Sequence, residues 1–198
     1  MAQVKKAEVR QAIVKSALRL FKRKGYVSTT TAQIAAGAGI SEANLYVYFR
    51  SKFEILFELY EPWFRDRFVE LEERLGREAE PRARLRILLT ALWRDIPHHD
   101  NGFTNNLMQA LTTVARAEGY RPDLLQWIEG RIETLIRAAI PPRRRAQLAR
   151  GDLAHVLMMA QDGFAMNVHL NPSTPCSDES MELFCDLILG GRNTARGG

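Results

Sequence analysis

The sequence predicts an all-α protein with two helical domains joined by one long helix. Apolar residues recur at intervals of three and four through most of the 198 residues, the period of one face of an α-helix. No stretch alternates apolar and polar residues in the way that is typical of a half-buried strand. Gly- and Pro-containing runs at 37–40, 97–102 and 141–145 interrupt the helical pattern, and we expect them to be turns or loops.

Composition places the chain among globular proteins, with 46% hydrophobic and 26% charged residues. No apolar run reaches the ~18 residues that a membrane-spanning helix needs. The first residues lack the apolar core of a signal peptide. We therefore expect no membrane association and a cytoplasmic location. Cys176 and Cys185 are the two cysteines, and their spacing indicates reduced thiols rather than a disulfide framework.

Motifs for metal binding or catalysis are absent from the sequence. His98 and His99 are adjacent, so they cannot readily face one metal ion from a helix, and no His-x-x-x-His pair occurs. The chain has no Gly-x-Ser-x-Gly run and no phosphate-binding glycine loop. We expect no catalytic residues, no metal site and no cofactor. A helical-bundle enzyme that uses an internal cavity is the least favoured alternative.

Residues 30–49 are predicted to form two short helices joined by a tight turn. Thr30 or Thr31 caps the first helix and Ser41 caps the second, because side-chain oxygens there accept from unpaired backbone N–H groups. The run 37–40 breaks the helix between these two caps.

Spacing within this pair is that of a helix-turn-helix motif. Ala35 is small where two helices must cross, and Gly39 can take a left-handed backbone conformation at little cost. Leu45 follows six residues later and packs back under the first helix. In such motifs the second helix enters the DNA major groove. An ordinary helical hairpin is the alternative that the spacing leaves open.

Charge distribution agrees with a DNA-binding N-terminus. The chain has a formal net charge of +5, and residues 1–60 hold ten Lys and Arg against four Glu. The remaining residues hold eighteen against nineteen acidic ones. A basic surface attracts phosphate and releases counterions on binding. Lysine-rich N-termini are common, so the basic excess is informative only because it lies on the same segment as the helix-turn-helix motif.

Flanking residues resemble a known family. The run Leu-Tyr-Val-Tyr-Phe-Arg-Ser-Lys-Phe-Glu-Ile-Leu at 45–56 closely resembles the end of the DNA-binding domain of TetR-family transcriptional repressors. Gly25-Tyr26 followed by three threonines at 29–31 is similar to the same family. The strong resemblance covers residues 9–57, and beyond it only the length and the helical pattern match.

Three segments are predicted for the chain. Residues 1–52 form the DNA-binding helix-turn-helix domain, with the motif at 30–49. Residues 53–190 form a ligand-binding and dimerisation domain, and 191–198 form a frayed tail. The long fourth helix leaves the first domain and enters the second, so it is the natural lever between them.

DNA contacts are predicted from the exposed face of the second motif helix and from residues near it. Asn44 can form two hydrogen bonds with an adenine edge, and Ala43 can touch a thymine methyl group. Glu42 stands where the resembled family often has a basic residue, so it either accepts from a cytosine amino group or turns away from the phosphates. The resemblance implies DNA-backbone contacts at Thr31, Tyr46, Tyr48 and Lys52. The predicted set is Thr30, Thr31, Ser41, Glu42, Ala43, Asn44, Tyr46, Tyr48 and Lys52.

A homodimer is predicted from the C-terminal third of the chain. Residues 152–170 are apolar almost all round, which predicts burial on every side against a core or another subunit. One helix-turn-helix reads few bases, so such modules commonly bind half-sites as dimers. We expect a two-fold four-helix interface through 152–170 and 177–190, on a near-palindromic operator. The alternative is an internal core pair in a monomer.

Aromatic and sulfur-containing side chains exceed what a small core needs, and they can line a cavity for an apolar or aromatic ligand. In the resembled family an inducer binds in this part of the chain and changes the angle of the fourth helix. Asp162 and Gln161 can supply polar anchors, and a buried carboxylate favours a cationic or donor-bearing ligand. Ordinary core packing is the alternative for each residue. The predicted set is Trp63, Trp93, Phe103, Met108, Trp127, Met159, Asp162 and Phe164.

Taken together, the residues and the resemblance predict a ligand-responsive, dimeric, sequence-specific DNA-binding repressor. A small apolar or aromatic inducer shifts the fourth helix and releases the repressor from its operator. A constitutive DNA-binding regulator with a vestigial pocket is the second interpretation.

Overall fold

A computed structural model describes residues 2–113, 122–148, 152–173 and 175–190. Every regular element in these ranges is helical, which confirms the all-α prediction. None of the described helices is both long and apolar enough to cross a lipid bilayer. The predicted frayed tail at 191–198 lies outside the described residues.

The described helices occur in the following order along the chain. The first four are α1 (Ala2–Lys24), α2 (Thr31–Gly37), α3 (Glu42–Tyr48) and α4 (Lys52–Gly76). The next are α5 (Pro81–Thr90), a π-helical segment (Ala91–Asp95), α6 (Ile96–His99) and α7 (Phe103–Thr113). The last are α8 (Asp123–Ala139), α9 (Pro142–Leu148), α10 (Leu153–Leu170) and α11 (Asp178–Leu189).

Two predicted loops are wrong in part, because both contain helix. Residues 97–99 belong to α6, and 142–145 belong to α9. Pro142 is the first residue of α9, where the missing N–H costs nothing and the fixed φ suits a helix. Helix α6 follows the π-helical segment without a break, because Asp95 before it also has helical backbone angles. Proline therefore marks a helix start at Pro142, whereas Pro97 lies within a continuous helical run.

The chain divides into two compact units. Among the described residues, the first unit contains 2–66 and 101–113, and the second contains 67–100 and 122–190 apart from the gaps given above. Helix α4 contributes its residues up to Asp66 to the first unit and the rest to the second. The boundaries predicted from the sequence stay a prediction.

In the first unit, α1 packs on α2 and α2 packs on α3. Ile34 and Leu45 are fully buried in one apolar cluster with residues of α1 and α4. Ala35 is also buried, as a close helix crossing requires. Gly39 has a φ of +71°, the left-handed conformation expected in the turn. This packing fixes α3 with its other face towards solvent.

In the second unit, α10 packs against α8, α6 and the π-helical segment. Trp93 is buried there, and its ring centroid lies 5.4 Å from that of Phe164 and 4.7 Å from that of Phe184. Its indole Nε1 donates to the carbonyl oxygen of Leu157 at 3.2 Å. Trp93 therefore ties the π-helical segment to α10.

Ion pairs fasten α11 to α5. Arg82 binds both Glu182 and Asp186, and Arg86 lies 3.1 Å from Glu182. The two carboxylates are four residues apart and therefore share one face of α11. Leu183, one position after Glu182, is exposed. Helix α11 thus has a charged face towards α5 and an apolar face that α5 leaves uncovered.

Candidate nucleic-acid interface and effector site

Helix α3 presents a polar face to solvent. Glu42, Ala43 and Asn44 are exposed, and the side chain of Tyr46 is 51% exposed. Ser41 caps the helix, because its Oγ accepts from the backbone N of Asn44 at 3.2 Å. Five predicted contact residues, including the N-cap Ser41, therefore lie on or next to this short helix and are accessible to a partner.

Threonines at the start of α2 complete this face. Thr30 is the N-cap, and it forms a reciprocal pair of 3.2 Å hydrogen bonds with Gln33. The hydroxyl of Thr31 donates to the carboxylate of Glu42 and lies 3.4 Å from the hydroxyl oxygen of Tyr46. The first turn of α2 thereby holds Glu42 in place.

Lys52 has a structural role within the first unit. Its Nζ donates to the carbonyl oxygens of Tyr26 at 2.8 Å and Thr29 at 2.7 Å, and lies 4.1 Å from the Tyr26 ring centroid. Both carbonyls lie in the turn between α1 and α2, and that of Tyr26 also accepts from the backbone N of Thr29 at 3.1 Å. A charged donor makes stronger hydrogen bonds than a neutral one, so the ammonium group stabilises this turn. Burial and the nearby charge of Lys24 lower the pKa of Lys52. Its predicted contact with the DNA backbone stays a prediction.

Some exposed residues were not singled out from the sequence. Val47 is exposed on α3 beside Tyr46. Lys15, Arg19, Lys22 and Arg23 line a shallow groove on α1 together with Leu18. Their spacing of four, three and one residues places them on one side of the helix, and this signal was present in the sequence. Tyr48, by contrast, is half-buried against the apolar cluster.

Predicted ligand residues occur in both units. Trp63 and Phe103 meet in the first unit with ring centroids 5.6 Å apart. In the second unit Trp127 contacts Phe68 at 5.7 Å, and Met159 is exposed on α10. Met108 lies on α7 in the first unit, while Trp93, Asp162 and Phe164 lie in the second. The predicted pocket residues are therefore divided between the two units, and neither unit contains all of them.

Asp162 is half-buried on α10 and has no hydrogen bond or ion pair with any described residue. Burial raises the pKa of this carboxyl to about 6. Because a charged carboxylate is costly to desolvate without a partner, the group is poised to accept a proton or a cation. Among the described residues no cluster of three or more His, Cys, Asp or Glu is arranged to hold a metal.

Asp162→Asn is expected to stabilise the protein more at pH 7 than at pH 4. The folded-state pKa lies above the unfolded value of 3.8, so the folded state binds more protons between pH 4 and 6. The contribution of Asp162 to the free energy of unfolding therefore falls by roughly 2 kcal/mol as pH rises through this window, and Asn removes this loss. Urea unfolding at both pH values measures the difference. Asp66→Asn on α4 is the control, and an equal effect of Asp162→Asn at both pH values would contradict the prediction.

Residues 13–59 match the family model described as "Bacterial regulatory proteins, tetR family". These residues run from Ile13 in α1 to Leu59 in α4, and so contain the whole helix-turn-helix surface described above. The match therefore falls on the segment whose exposed face is suited to DNA.

Curated relatives of the chain are transcriptional regulators. YuxN of Bacillus subtilis, an uncharacterized HTH-type transcriptional regulator, is 30% identical over 102 residues, which are 52% of this chain and 35% of YuxN. KstR2 of Mycobacterium tuberculosis, an HTH-type transcriptional repressor, is 33% identical over 90 residues, which are 46% of this chain and 45% of KstR2. This chain thus spans less than half the length of each relative.

Among solved structures, FadR of Bacillus subtilis in complex with stearoyl-CoA superposes with a TM-score of 0.59. The likeness covers 92% of this chain and 98% of FadR at 15% identity, so it shows the fold alone. The relatives are transcriptional regulators, which supports the expectation that the chain is not an enzyme. The family match over residues 13–59 and the relatives together support a transcriptional regulator of the tetR family.

Proposed function

We propose that the chain is a transcriptional repressor that binds a near-palindromic DNA operator as a homodimer and is released by a small effector. The exposed polar face of α3, held on a buried scaffold, is the observation that carries the proposal. The basic excess of residues 1–60 adds a sequence-independent attraction to DNA. The name of KstR2 as a repressor supports repression rather than activation.

Sequence is read by α3 in this proposal. Asn44 is exposed near the helix start, where recognition helices contact base edges, and its amide can pair with adenine. Glu42 offers only acceptor atoms, so a cytosine amino group suits it better than a phosphate. Thr31 positions that carboxylate before DNA arrives. Tyr46 is exposed enough to donate its hydroxyl to a phosphate.

Dimerisation uses the uncovered apolar faces of α10 and α11. Large apolar side chains are exposed on both helices, and a contiguous patch of this kind commonly marks an interface. Positions 156, 159 and 170 fall on one side of α10, and 183 and 187 fall on one side of α11. The exposed side chains are Val156, Met159, Leu170, Leu183 and Leu187. Their exposure favours a second copy over an internal core pair in a monomer.

Release requires that an effector change the arrangement of the DNA-binding units. Helix α4 belongs to both units, so a ligand that prefers one position of α4 shifts the equilibrium between DNA-bound and free states. FadR, which shares the fold, has been solved with stearoyl-CoA bound. A bound small molecule is therefore compatible with this architecture.

Selection of duplexes from a random library tests the proposal. The wild-type chain is expected to enrich a near-palindromic site, and Asn44→Ala is expected to weaken binding to it by about 10- to 100-fold. Binding to an unrelated duplex is expected to change little, because phosphate contacts remain. Gln126→Ala, which alters an exposed polar residue of α8 in the second unit, is the control. If no site is enriched and all duplexes bind alike, the proposal is wrong.

A further inference from the structure

Gln161 is an unusual residue for the interior of the second unit. Its side chain is 0% exposed, on the face of α10 that also buries Leu157, Met158 and Ala165. Neither its Oε1 nor its Nε2 has a hydrogen-bond partner among the described residues. A primary amide can make up to four hydrogen bonds, and all of that capacity is unused by the fold.

Packing alone gives no reason for an amide at this position. Buried polar groups in proteins are nearly always hydrogen-bonded, since water is lost without compensation when they are not. Methionine has a similar size and would fill the space without that cost. A buried and unpartnered amide is therefore better explained by binding to a molecule than by stability.

The surroundings of Gln161 define the kind of molecule. Asp162, the next residue, has a half-buried carboxyl that makes no hydrogen bond or ion pair with a described residue. Trp93 donates to the Leu157 carbonyl, which lies one helical turn before Gln161. The ring of Phe164 packs on Trp93. Amide, carboxyl and aromatic groups thus occur within about one turn of each other along α10.

We propose that Gln161 and Asp162 are the polar anchors of an effector site in the second unit, and that the effector is an apolar aromatic amine. The Asp162 carboxylate pairs with the protonated nitrogen, and the Gln161 amide completes its hydrogen bonds. Aromatic side chains accommodate the apolar body and favour a nearby cation. Carboxylate ligands are repelled by Asp162. The inference rests on the proposed function, because it names the effector class of that regulator.

Three probes with the same apolar body test the class of effector: 4-butylbenzylamine, 4-butylbenzyl alcohol and 4-butylbenzoate. The amine is expected to raise the Tm of the full chain and to weaken operator binding. The alcohol is expected to act more weakly, and the benzoate to leave both quantities unchanged. Each probe is titrated against wild type, Gln161→Met, Asp162→Asn and the carboxylate control Asp66→Asn.

Asp162→Asn is expected to lower amine affinity by about tenfold or more and to leave alcohol affinity nearly unchanged. Gln161→Met is expected to weaken both ligands and to raise the Tm of the unliganded chain, because an unpartnered amide is removed. Asp66→Asn is expected to behave as wild type with all three probes. A lower Tm for Gln161→Met would show that the fold already satisfies the amide and would overturn the inference.

The inference also fails if the benzoate equals the amine, if no probe shifts the Tm, or if Asp162→Asn binds the amine as wild type does. These outcomes are separate from failure of the proposed function, which is measured without any probe. If wild type selects an operator but ignores the amine, the effector class alone is wrong. If the amine binds but no operator is selected, the repressor proposal is wrong and the site remains.

Discussion

Leu187→Glu is expected to convert the protein from a dimer to a monomer and to reduce operator affinity by about 100-fold or more. Leu187 is 59% exposed on the face of α11 that α5 leaves uncovered, one turn after the exposed Leu183. In a two-fold interface each subunit contributes one introduced carboxylate. Both are buried in apolar surroundings without a partner, and the two like charges lie close together. A monomer then binds one half-site and loses the increase in affinity that comes from holding two recognition helices in one particle.

Sedimentation velocity over a wide concentration range measures the first effect, and titration of the selected duplex measures the second. Val69→Glu is the matched control, because Val69 is a 55% exposed apolar residue of α4 that lies outside α10 and α11. The control is expected to remain a dimer with wild-type affinity. A wild-type chain that sediments as a monomer at all concentrations would contradict the prediction.

Lys52→Met is expected to lower the free energy of unfolding by about 2–4 kcal/mol and to weaken operator binding as well. The substitution removes two charge-assisted hydrogen bonds and leaves the carbonyls of Tyr26 and Thr29 without this partner. Those carbonyls belong to the turn that leads to Thr30 and Thr31 at the start of α2. Loosening of this turn therefore displaces two of the predicted DNA-contact residues. Urea unfolding measures the stability, with the exposed Lys15→Met as control.

Salt dependence separates this positioning role from a phosphate contact. If Lys52 acts through the turn, the affinity of Lys52→Met falls while the slope of log affinity against log salt stays as in wild type. If Lys52 contacts a phosphate directly, the slope falls by about one. A variant with wild-type stability and a reduced slope would contradict the positioning role.

Local sequence was sufficient for the helix-turn-helix because each step there depends on neighbouring residues. Ser41 caps α3, Gly39 turns the chain, and burial of Leu45 forces Asn44 and Tyr46 outward. Helix period and capping chemistry decide such features within a few positions. The C-terminal helices were predictable for the same reason, with Ser177 as the cap of α11.

Other features depend on residues that are distant in sequence. The carbonyl partners of Lys52 are 23 and 26 residues away, so no local pattern indicates them. Thr31 and Glu42 are eleven residues apart and meet only after α2 and α3 cross. The unpartnered amide of Gln161 depends on every side chain that faces it. For such groups the sequence gives the identity of the residue, but its contacts depend on the folded structure.

Hydroxyl-radical footprinting on the selected duplex shows whether two copies of α3 read base edges from one face of the DNA. We predict two protected patches on that face, separated by one or a whole number of helical turns, each about 34 Å. Both patches should weaken together in Asn44→Ala. A single protected patch, or protection that does not depend on sequence, would show that two copies of α3 do not read the site in this way.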